Sequence, residues 1–368
     1  MSRPIIAMFL PLLEVGGAER TFLRLARGFV QRGCHVDLVL ASKFGAIRHE
    51  VPPEVNRIDL RASRVLWSIP RLARYLRGRR PYALLATLAH ANVAAIIAKR
   101  IAGGSTLVAI REANTSNAER RSSRSLKIAA VDLLRSRHYA KADVIIANSQ
   151  GVAESLQKHN RLPREKIRVI YNPVVSPELL QLAEQPLEHP WFSDATCPVV
   201  LGTGRLTQQK DFPTLLHAFA IARRTRPMRL VIVGEGEERA RLCALSQQLG
   251  VDQEILLVGF DPNPYRYMRR ASVFVLSSRW EGLPNALIEA MACGAPVIST
   301  DCPSGPREIL EDGKWGKLVP VGNPQKLAEA IVDTLDNPPA YDPAVRAADF
   351  SVARAVEGYL NALGVSDC

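Results

Sequence analysis

Short apolar runs alternate along the chain with segments in which apolar residues recur at helical spacing. In the first half the runs predict strands at IIAMFL, HVDLVLA, YALLAT, TLVAI and DVIIANS. In the second half they predict strands at PVVLGTGRL, RLVIVGEG, EILLVGF, SVFVLSS and APVIST. Runs rich in Val, Ile and Leu are typical of parallel strands that are covered on both faces.

Amphipathic segments predict the helices between these strands. One spans 18–32, where Phe22, Leu25, Ala26 and Phe29 recur at helical spacing. In the second half, helices are predicted near 211–226, 236–249, 264–271, 284–292 and 323–336. Two such series in tandem predict an α/β protein with two Rossmann-like, doubly wound parallel sheets.

The boundary between the two predicted domains falls in residues 172–198, which hold five prolines and little periodicity. We therefore expect an N-terminal domain over 1–175 and a C-terminal domain over 195–349. Ligands of doubly wound sheets bind at the carboxyl ends of the strands. A ligand is accordingly expected in a cleft where the two domains face each other.

Charge is distributed unevenly between the halves. Residues 1–175 hold 30 Lys and Arg against 12 Asp and Glu, a balance of +18, and residues 176–368 hold 18 against 24, a balance of −6. In the first half, segments 61–85 and 118–143 interleave arginines with aromatic and aliphatic residues. This pattern fits helices that lie on an anionic membrane surface. A nucleic-acid partner is not expected, because no standard binding motif is present.

Cysteine usage and hydropathy predict a cytoplasmic protein. The six cysteines are scattered and form no C-x-x-C pair, which favours a reducing compartment over a disulfide framework or a zinc ribbon. No run approaches the ~18 apolar residues that a bilayer span needs. The apolar N-terminus reads as a first buried strand, since no cleavage site for a signal peptide follows it. With the basic first half, this predicts a peripheral protein on the cytoplasmic face of a membrane.

Glycine turns at strand ends mark candidate phosphate sites. In GTGRLTQQKDF, Gly204 precedes two cations, Arg205 and Lys210, and cations beside such a turn suit a diphosphate. VIVGEGEE lacks the third glycine of a dinucleotide fingerprint, so Gly234 is interpreted as part of a cleft wall. LVGF ends another strand at Phe260, where a base could lie against the chain.

The first half has candidates of its own. Gly16 and Gly17 precede a helix, and their backbone allows a ligand to approach closely. His90 and Asn92 in LAHAN, and Arg111 at the end of a strand, are further candidates in this half. Beside Arg111, the Glu112 carboxylate is expected to line the cleft as a catalytic candidate. The chain contains no D-x-D and no cluster with metal-ligand spacing, so no metal is expected.

The stretch SSRWEGLPNALIEAMACGAPVIST places Glu281 and Glu289 on either side of a glycine–proline turn. It matches the E-x7-E signature of retaining glycosyltransferases of family 4. GGAER, ADVIIANSQGV, KIRVIYNPV, GRLTQQKDF, LVIVGEGEE and VGF also stand where that family has its landmarks. The chain resembles this family over nearly its whole length, and it is most similar to members that build bacterial lipopolysaccharide, capsule or exopolysaccharide.

The resemblance implies the GT-B fold, with a C-terminal helix over 350–366 that returns to the N-terminal domain. It implies that Glu281 contacts hydroxyls of the donor sugar and that Glu289 binds the ribose. Backbone amides before and in the following helix would hold the diphosphate, with Pro284 in the first helical turn; this nucleotide-sugar site comprises Gly282, Leu283, Pro284 and Asn285. Arg205 and Lys210 would neutralise the leaving diphosphate in place of a metal.

The implied function is a metal-independent, retaining hexosyltransferase in bacterial cell-surface glycan synthesis. Its expected donor is a nucleotide-sugar, with UDP as the expected nucleotide, and its acceptor is a lipid-linked glycan or a polysaccharide. His90, Asn92 and Arg111 are the candidates on the acceptor side. No cofactor is implied. The chain departs from the family at Arg111–Glu112, where many members have a His. Two alternatives stay open: an NAD-dependent oxidoreductase on tandem Rossmann domains, and a basic nucleic-acid-binding protein.

Overall fold

The computed structural model describes residues 3–14, 16–42, 45, 47–113, 137–193 and 196–365. The chain divides into two compact units. The N-terminal unit comprises Met1–Pro173 and Val352–Cys368, and the C-terminal unit comprises Val174–Ser351. Among the described helices, none combines the length and the hydropathy needed to cross a bilayer.

The N-terminal unit is built on a parallel sheet of seven strands in the order β3-β2-β1-β4-β5-β6-β7. The strands are β1 Ile5–Leu10, β2 His35–Leu40, β3 Asn56–Asp59, β4 Ala83–Thr87, β5 Leu107–Glu112, β6 Val144–Ala147 and β7 Ile167–Val169. Its described α-helices are Gly17–Gln31, Ile69–Arg79, Ala89–Ala102, Gln150–Asn160 and Val352–Leu363, and its 3-10 helices are Arg48–Glu50, Val65–Ser68 and Arg164–Lys166.

Successive side chains of a strand point to opposite faces of the sheet, and helices bury both faces. Met8 packs on one side with the helices Gly17–Gln31 and Val352–Leu363. Phe9 packs on the other side with Leu72 and Ala94 of two further helices. The final helix is held closely, since a Cβ on Gly28 would lie 2.3 Å from Val356.

The C-terminal unit is built on a parallel sheet of six strands in the order β10-β9-β8-β11-β12-β13. The strands are β8 Val199–Thr203, β9 Arg229–Val233, β10 Ile255–Gly259, β11 Val273–Leu276, β12 Val297–Thr300 and β13 Lys317–Val319. The α-helices are Pro177–Ala183, Pro190–Ser193, Phe212–Ala222, Arg239–Gln248, Tyr265–Met268, Asn285–Ala292, Pro306–Ile309, Pro324–Asp336 and Pro343–Ala347, and the 3-10 helices are Asp252–Glu254 and Ala348–Phe350.

The fold class predicted from the sequence is confirmed, since both sheets are parallel and each is packed with helices. The structure adds three strands that the apolar runs did not predict: β3, β7 and β13. All three are edge strands and are only partly buried, so they lack the continuous apolar pattern.

The proline-rich segment after residue 173 packs on the C-terminal unit. Asn263 Nδ2 donates to the carbonyl oxygen of Leu182 at 2.9 Å, and the guanidinium of Arg229 lies over the ring of Trp191. At the end of the same unit, the amides of Val174 and Val175 both donate to the carbonyl of Phe350. The two chain crossings between the units are therefore hydrogen-bonded to each other.

Candidate active site

Two loops of the C-terminal unit carry the residues predicted to act on a diphosphate and a sugar. Residues 204–211 follow β8, and residues 277–284 follow β11. These strands are parallel neighbours in the sheet, so both loops leave it at the same edge. The structure thus brings together Lys210 and Glu281, which lie 71 positions apart in the sequence.

Lys210 and Glu281 form a short ion pair, with 2.6 Å between Nζ and Oε1. The hydroxyl of Ser278 donates to the same Oε1 at 2.7 Å. Glu281 is only 8% exposed, and two donors hold its carboxylate, so the group is not free to rotate in solvent. The family motifs assign the two residues to different parts of a ligand and do not predict this pairing.

A second ion pair clasps the same two loops. Arg279 donates to both carboxylate oxygens of Asp211, at 2.9 and 3.3 Å. Asp211 is buried and has a left-handed backbone, with φ of 47°. The amide of Arg279 also donates to Gln209 O, and the Ser277 hydroxyl donates to Lys210 O, both at 2.8 Å. These bonds position the backbone on both sides of the Lys210–Glu281 pair, and the opposed charges in QKD and SRWE are the sequence signal for them.

The helix Asn285–Ala292 begins directly after the second loop. Pro284 is its N-cap residue, so the prediction that Pro284 lies in the first helical turn is wrong by one position. Its φ of −71° suits the cap, but its ψ of 99° is extended rather than helical. The amides of Leu283 and Ala286 donate to no other residue in the described part of the chain. Such amides at a helix N-terminus attract anions.

A third loop lies against this turn and was not predicted. The Ser304 hydroxyl donates to Gly282 O at 3.1 Å. Gly305 has a φ of 93°, and a Cβ there would lie 2.5 Å from Pro284 Cδ. Only glycine fits at this close approach. The signal in the sequence was SGP, a dipeptide turn beside a proline.

The other predicted residues of this unit differ in exposure. Arg205 is exposed and forms no ion pair with a described residue. Phe260 is 61% exposed at the end of β10, which leaves its ring accessible to a base. Glu289 is partly exposed in the helix, while Gly282 and Leu283 are buried.

Gly204 and Gly234 are required by contact between two turns. Their φ values are 145° and 151°, which favour glycine. A Cβ on Gly234 would lie 1.9 Å from Gly204 O, and one on Gly236 would lie 2.3 Å from Leu206 O. The glycines of VIVGEGEE therefore permit this packing of the two turns.

In the N-terminal unit, Arg111 lies in the core instead of facing a ligand. It is 2% exposed, and it donates to Thr87 Oγ1 at 3.2 Å and to Asn172 Oδ1 at 2.6 Å. Its side chain thus joins the ends of β4 and β5 to Asn172, just before the chain enters the C-terminal unit. The placement of Arg111 on the acceptor side is not supported by this burial.

The neighbouring candidates form a second buried polar group. Tyr139 donates its hydroxyl to Glu112 Oε2 at 3.0 Å, and Asn92 Nδ2 lies 3.0 Å from the same hydroxyl. Both Glu112 and Asn92 are buried, whereas His90 is exposed at the beginning of its helix.

Gly16 precedes the helix Gly17–Gln31 as predicted, whereas Gly17 is the first residue of that helix. Gly16 is the N-cap in extended conformation and provides no side-chain cap. Among the residues that the structure describes, no group of three or more His, Cys, Asp or Glu could hold a metal ion.

A cavity of about 440 Å³ lies at the opposite end of the helix Asn285–Ala292, beside Cys293 and Arg269. It is separate from the Lys210–Glu281 pair, which lies near the helix N-terminus. Burial raises the pKa of the Cys293 thiol to about 12, with a further contribution from Glu289. That thiol is therefore protonated and not a nucleophile at neutral pH.

Two units, each with a doubly wound sheet of parallel strands, together with these strand-end loops define a protein of the GT-B class. HepE of Anabaena, whose crystal structure contains UDP and glucose, matches 99% of this chain and 100% of its own, with a TM-score of 0.78 and 21% identity. At that identity, the likeness shows the fold.

Family models match both units. Glycosyltransferase Family 4 matches residues 15–176, and Glycosyl transferases group 1 matches residues 188–349. The chain belongs to the glycosyltransferases that combine these two family domains.

Two curated relatives add detail on the family. A 4-alpha-N-acetylgalactosaminyltransferase of Campylobacter jejuni, named for an undecaprenol-diphosphate acceptor, is 35% identical over 54% of this chain and 52% of its own. The lipopolysaccharide core biosynthesis glycosyltransferase LpsE of Rhizobium meliloti is 32% identical over 53% of this chain and 54% of its own. The chain spans about half the length of the curated relatives it matches.

Proposed function

We propose that the protein is a retaining glycosyltransferase that moves a hexosyl group from a UDP-sugar to a lipid-linked or polysaccharide acceptor in bacterial cell-surface glycan synthesis. The observation that carries the proposal is the Lys210–Glu281 pair beside the N-terminus of the helix Asn285–Ala292. A cation, a fixed carboxylate and helix amides are the groups that a sugar diphosphate requires.

In this proposal the leaving diphosphate is stabilised by the chain's own positive groups. Arg205 is exposed and available, Lys210 lies within the site, and the amides of Leu283 and Ala286 add partial positive charge. No divalent metal is needed for this neutralisation. Glu281 accepts hydrogen bonds from the donor sugar, and Glu289 accepts those of the ribose.

Retention follows if the acceptor hydroxyl attacks on the face from which the diphosphate leaves. The enzyme then contributes positioning and stabilisation of the departing charge. In this proposal the acceptor binds to the N-terminal unit, where His90 is an exposed candidate and Glu112 is a buried candidate carboxylate that accepts from Tyr139. Relatives named for lipopolysaccharide core biosynthesis and for a diphospho-undecaprenol substrate support a lipid-linked acceptor. A position at the cytoplasmic face of a membrane is part of the same proposal.

The test is a donor screen with bacterial lipid extract as acceptor. UDP-glucose, UDP-galactose and UDP-N-acetylhexosamines are incubated with the protein in EDTA, and UDP release and the anomeric configuration of the product are measured. We expect release from one UDP-sugar, with retained configuration. Release only after a divalent metal is added, or an inverted product, would contradict the mechanism.

The two alternatives predict different outcomes when NADH, RNA or DNA is offered to the same protein samples. An oxidoreductase would change the absorbance of NADH and would release no nucleoside diphosphate from the UDP-sugars. A nucleic-acid-binding protein would retain RNA or DNA and ignore every nucleotide-sugar.

A further inference from the structure

We infer that one surface of the N-terminal unit docks on an anionic lipid bilayer through an exposed tryptophan and the exposed arginines that precede and follow it along the chain. The inference rests on the proposed function in that a lipid-linked acceptor is presented by a membrane. We call this the Trp67 surface; it comprises Leu66 and Trp67 with Arg61, Arg64, Arg71, Arg74, Arg77 and Arg80.

The apolar part of the surface is held outward by a rigid turn. Trp67 is 70% exposed and Leu66 is 58% exposed. They lie in the 3-10 helix Val65–Ser68, where the Trp67 amide donates to Arg64 O and the buried Ser68 hydroxyl donates to Val65 O. Single exposed apolar residues are common. An adjacent tryptophan and leucine on a fixed turn, with cations around them, have the composition of a membrane-interface anchor.

The polar part of the surface carries uncompensated positive charge. Residues 60–111 contain ten Lys and Arg and no Asp or Glu. Arg79 pairs with Asp37 from β2, but the six arginines of the Trp67 surface form no ion pair within the described part of the chain. Arg71 instead donates to the carbonyls of Leu60 and Arg61, which leaves its charge in place.

The position of the turn relates the surface to the acceptor side. Arg77 donates to the carbonyls of Ile101 and Ala102, so the ends of the helices Ile69–Arg79 and Ala89–Ala102 lie together. The turn that precedes the first helix contacts the second. The two helices therefore run side by side in the same direction. The second begins directly after β4, which places Trp67 at the edge of the sheet where His90 lies.

A bilayer uses every component of this surface. Anionic headgroups attract the arginines, and tryptophan and leucine enter the interface between headgroups and acyl chains. A nucleic acid would engage the arginines but leave Leu66 without an apolar partner. Most of the other predicted basic segment, 118–143, lies outside the described residues and contributes nothing to the inference.

Flotation with vesicles of phosphatidylcholine, with and without phosphatidylglycerol, tests the surface. Each arginine near an anionic membrane contributes about 1 kcal/mol, or about fivefold in the partition coefficient. We therefore expect Arg64→Gln with Arg74→Gln to weaken binding to anionic vesicles by about 25-fold. We expect Trp67→Ala to remove the binding that persists at high salt, where charge is screened.

Matched controls come from the C-terminal unit. Arg224→Gln and Val345→Ala remove an exposed arginine and an exposed apolar side chain there, and neither should alter flotation. All variants should keep the wild-type melting temperature, because the changed side chains are exposed. Flotation unchanged in the Trp67-surface variants, or retention by RNA in place of vesicles, would overturn the inference.

UDP binding by the same samples separates the two proposals. If UDP binds and flotation fails, only the docking surface is wrong. If UDP does not bind, the proposed function fails whatever the vesicles show.

Discussion

Replacing Glu281 with glutamine should change nucleotide binding and sugar transfer in opposite directions. The carboxylate lies 2.6 Å from Lys210 Nζ, so this ammonium is shared before any diphosphate arrives. Glutamine keeps an oxygen that can accept from Ser278 but removes the negative charge. Lys210 would then offer its full charge to the nucleotide, and the repulsion between carboxylate and phosphate would be lost.

The size of the effect follows from the distances. A phosphate oxygen bonded to the same ammonium would lie ~4 Å from the carboxylate, where two unit charges near a protein surface repel by ~4 kcal/mol. Lys210 is 18% exposed, and water in an open site reduces that value. We expect a net gain of about 1–2 kcal/mol, which is about 5- to 30-fold tighter UDP binding.

Isothermal calorimetry with UDP in EDTA measures the affinity, and UDP release from the cognate donor measures transfer. Glu281→Gln should bind UDP more tightly and transfer more slowly, since the donor sugar loses an acceptor. Glu254→Gln is the matched control, because it removes the carboxylate that pairs with Arg223 at 2.6 Å before β10, at the other edge of the sheet. Weaker UDP binding by Glu281→Gln would contradict this prediction and show that Glu281 chiefly positions Lys210.

Three further predictions concern positioning and stability. Arg279→Met should lower UDP-sugar turnover about tenfold or more, because the ion pair with Asp211 that joins the two loops is lost. The melting temperature should change little, because Arg279 is half-exposed. Unchanged turnover in a kinetic assay would count against this role of the ion pair. Gly234→Ala should destabilise the C-terminal unit by about 2–4 kcal/mol in urea denaturation, because its Cβ would meet Gly204 O, whereas Gly250→Ala, in open space, should cost about 1 kcal/mol. Burial raises the pKa of Asp37, but hydrogen bonds from its neighbours outweigh burial, so the pKa in the folded state lies below that in the unfolded state. The Asp37 carboxylate therefore stabilises the fold above its unfolded-state pKa, and this stabilisation is lost as pH falls through the folded-state pKa. Asp37→Asn should lower the free energy of unfolding by about 1–3 kcal/mol at neutral pH, and its unfolding curves should converge with those of wild type in acid.

The sequence predicted the central strands because they are buried on both faces. β1, β4 and β8 are apolar at nearly every position, so a short uninterrupted apolar run identifies each of them. The edge strands β3 and β13 are partly exposed and short, and their pattern does not differ from that of a loop. Tertiary pairing with a neighbour, which one-dimensional patterns do not contain, defines them as strands.

The candidate site was predicted by residue type but not by pairing. The spacing of Glu281 and Glu289 identified the loop and helix, and the cations of GRLTQQKDF identified the second loop. That Lys210 bonds Glu281 depends on the adjacency of β8 and β11, which no local pattern reveals.

Arg111 shows the same limit in the N-terminal unit. A residue at the end of a strand can face the solvent or turn back into the core. Its partners Thr87 and Asn172 lie 24 and 61 positions away, so no local pattern indicates that Arg111 is buried.

Calorimetry in EDTA with UDP, GDP, ADP and NAD, titrated into wild type and Glu289→Ala, tests whether the C-terminal unit binds a nucleoside diphosphate through Glu289. We expect wild type to bind UDP in preference to the other nucleotides, and the variant to bind it more weakly because the ribose loses an acceptor. Binding of NAD alone, or UDP binding that is indifferent to Glu289, would contradict this expectation.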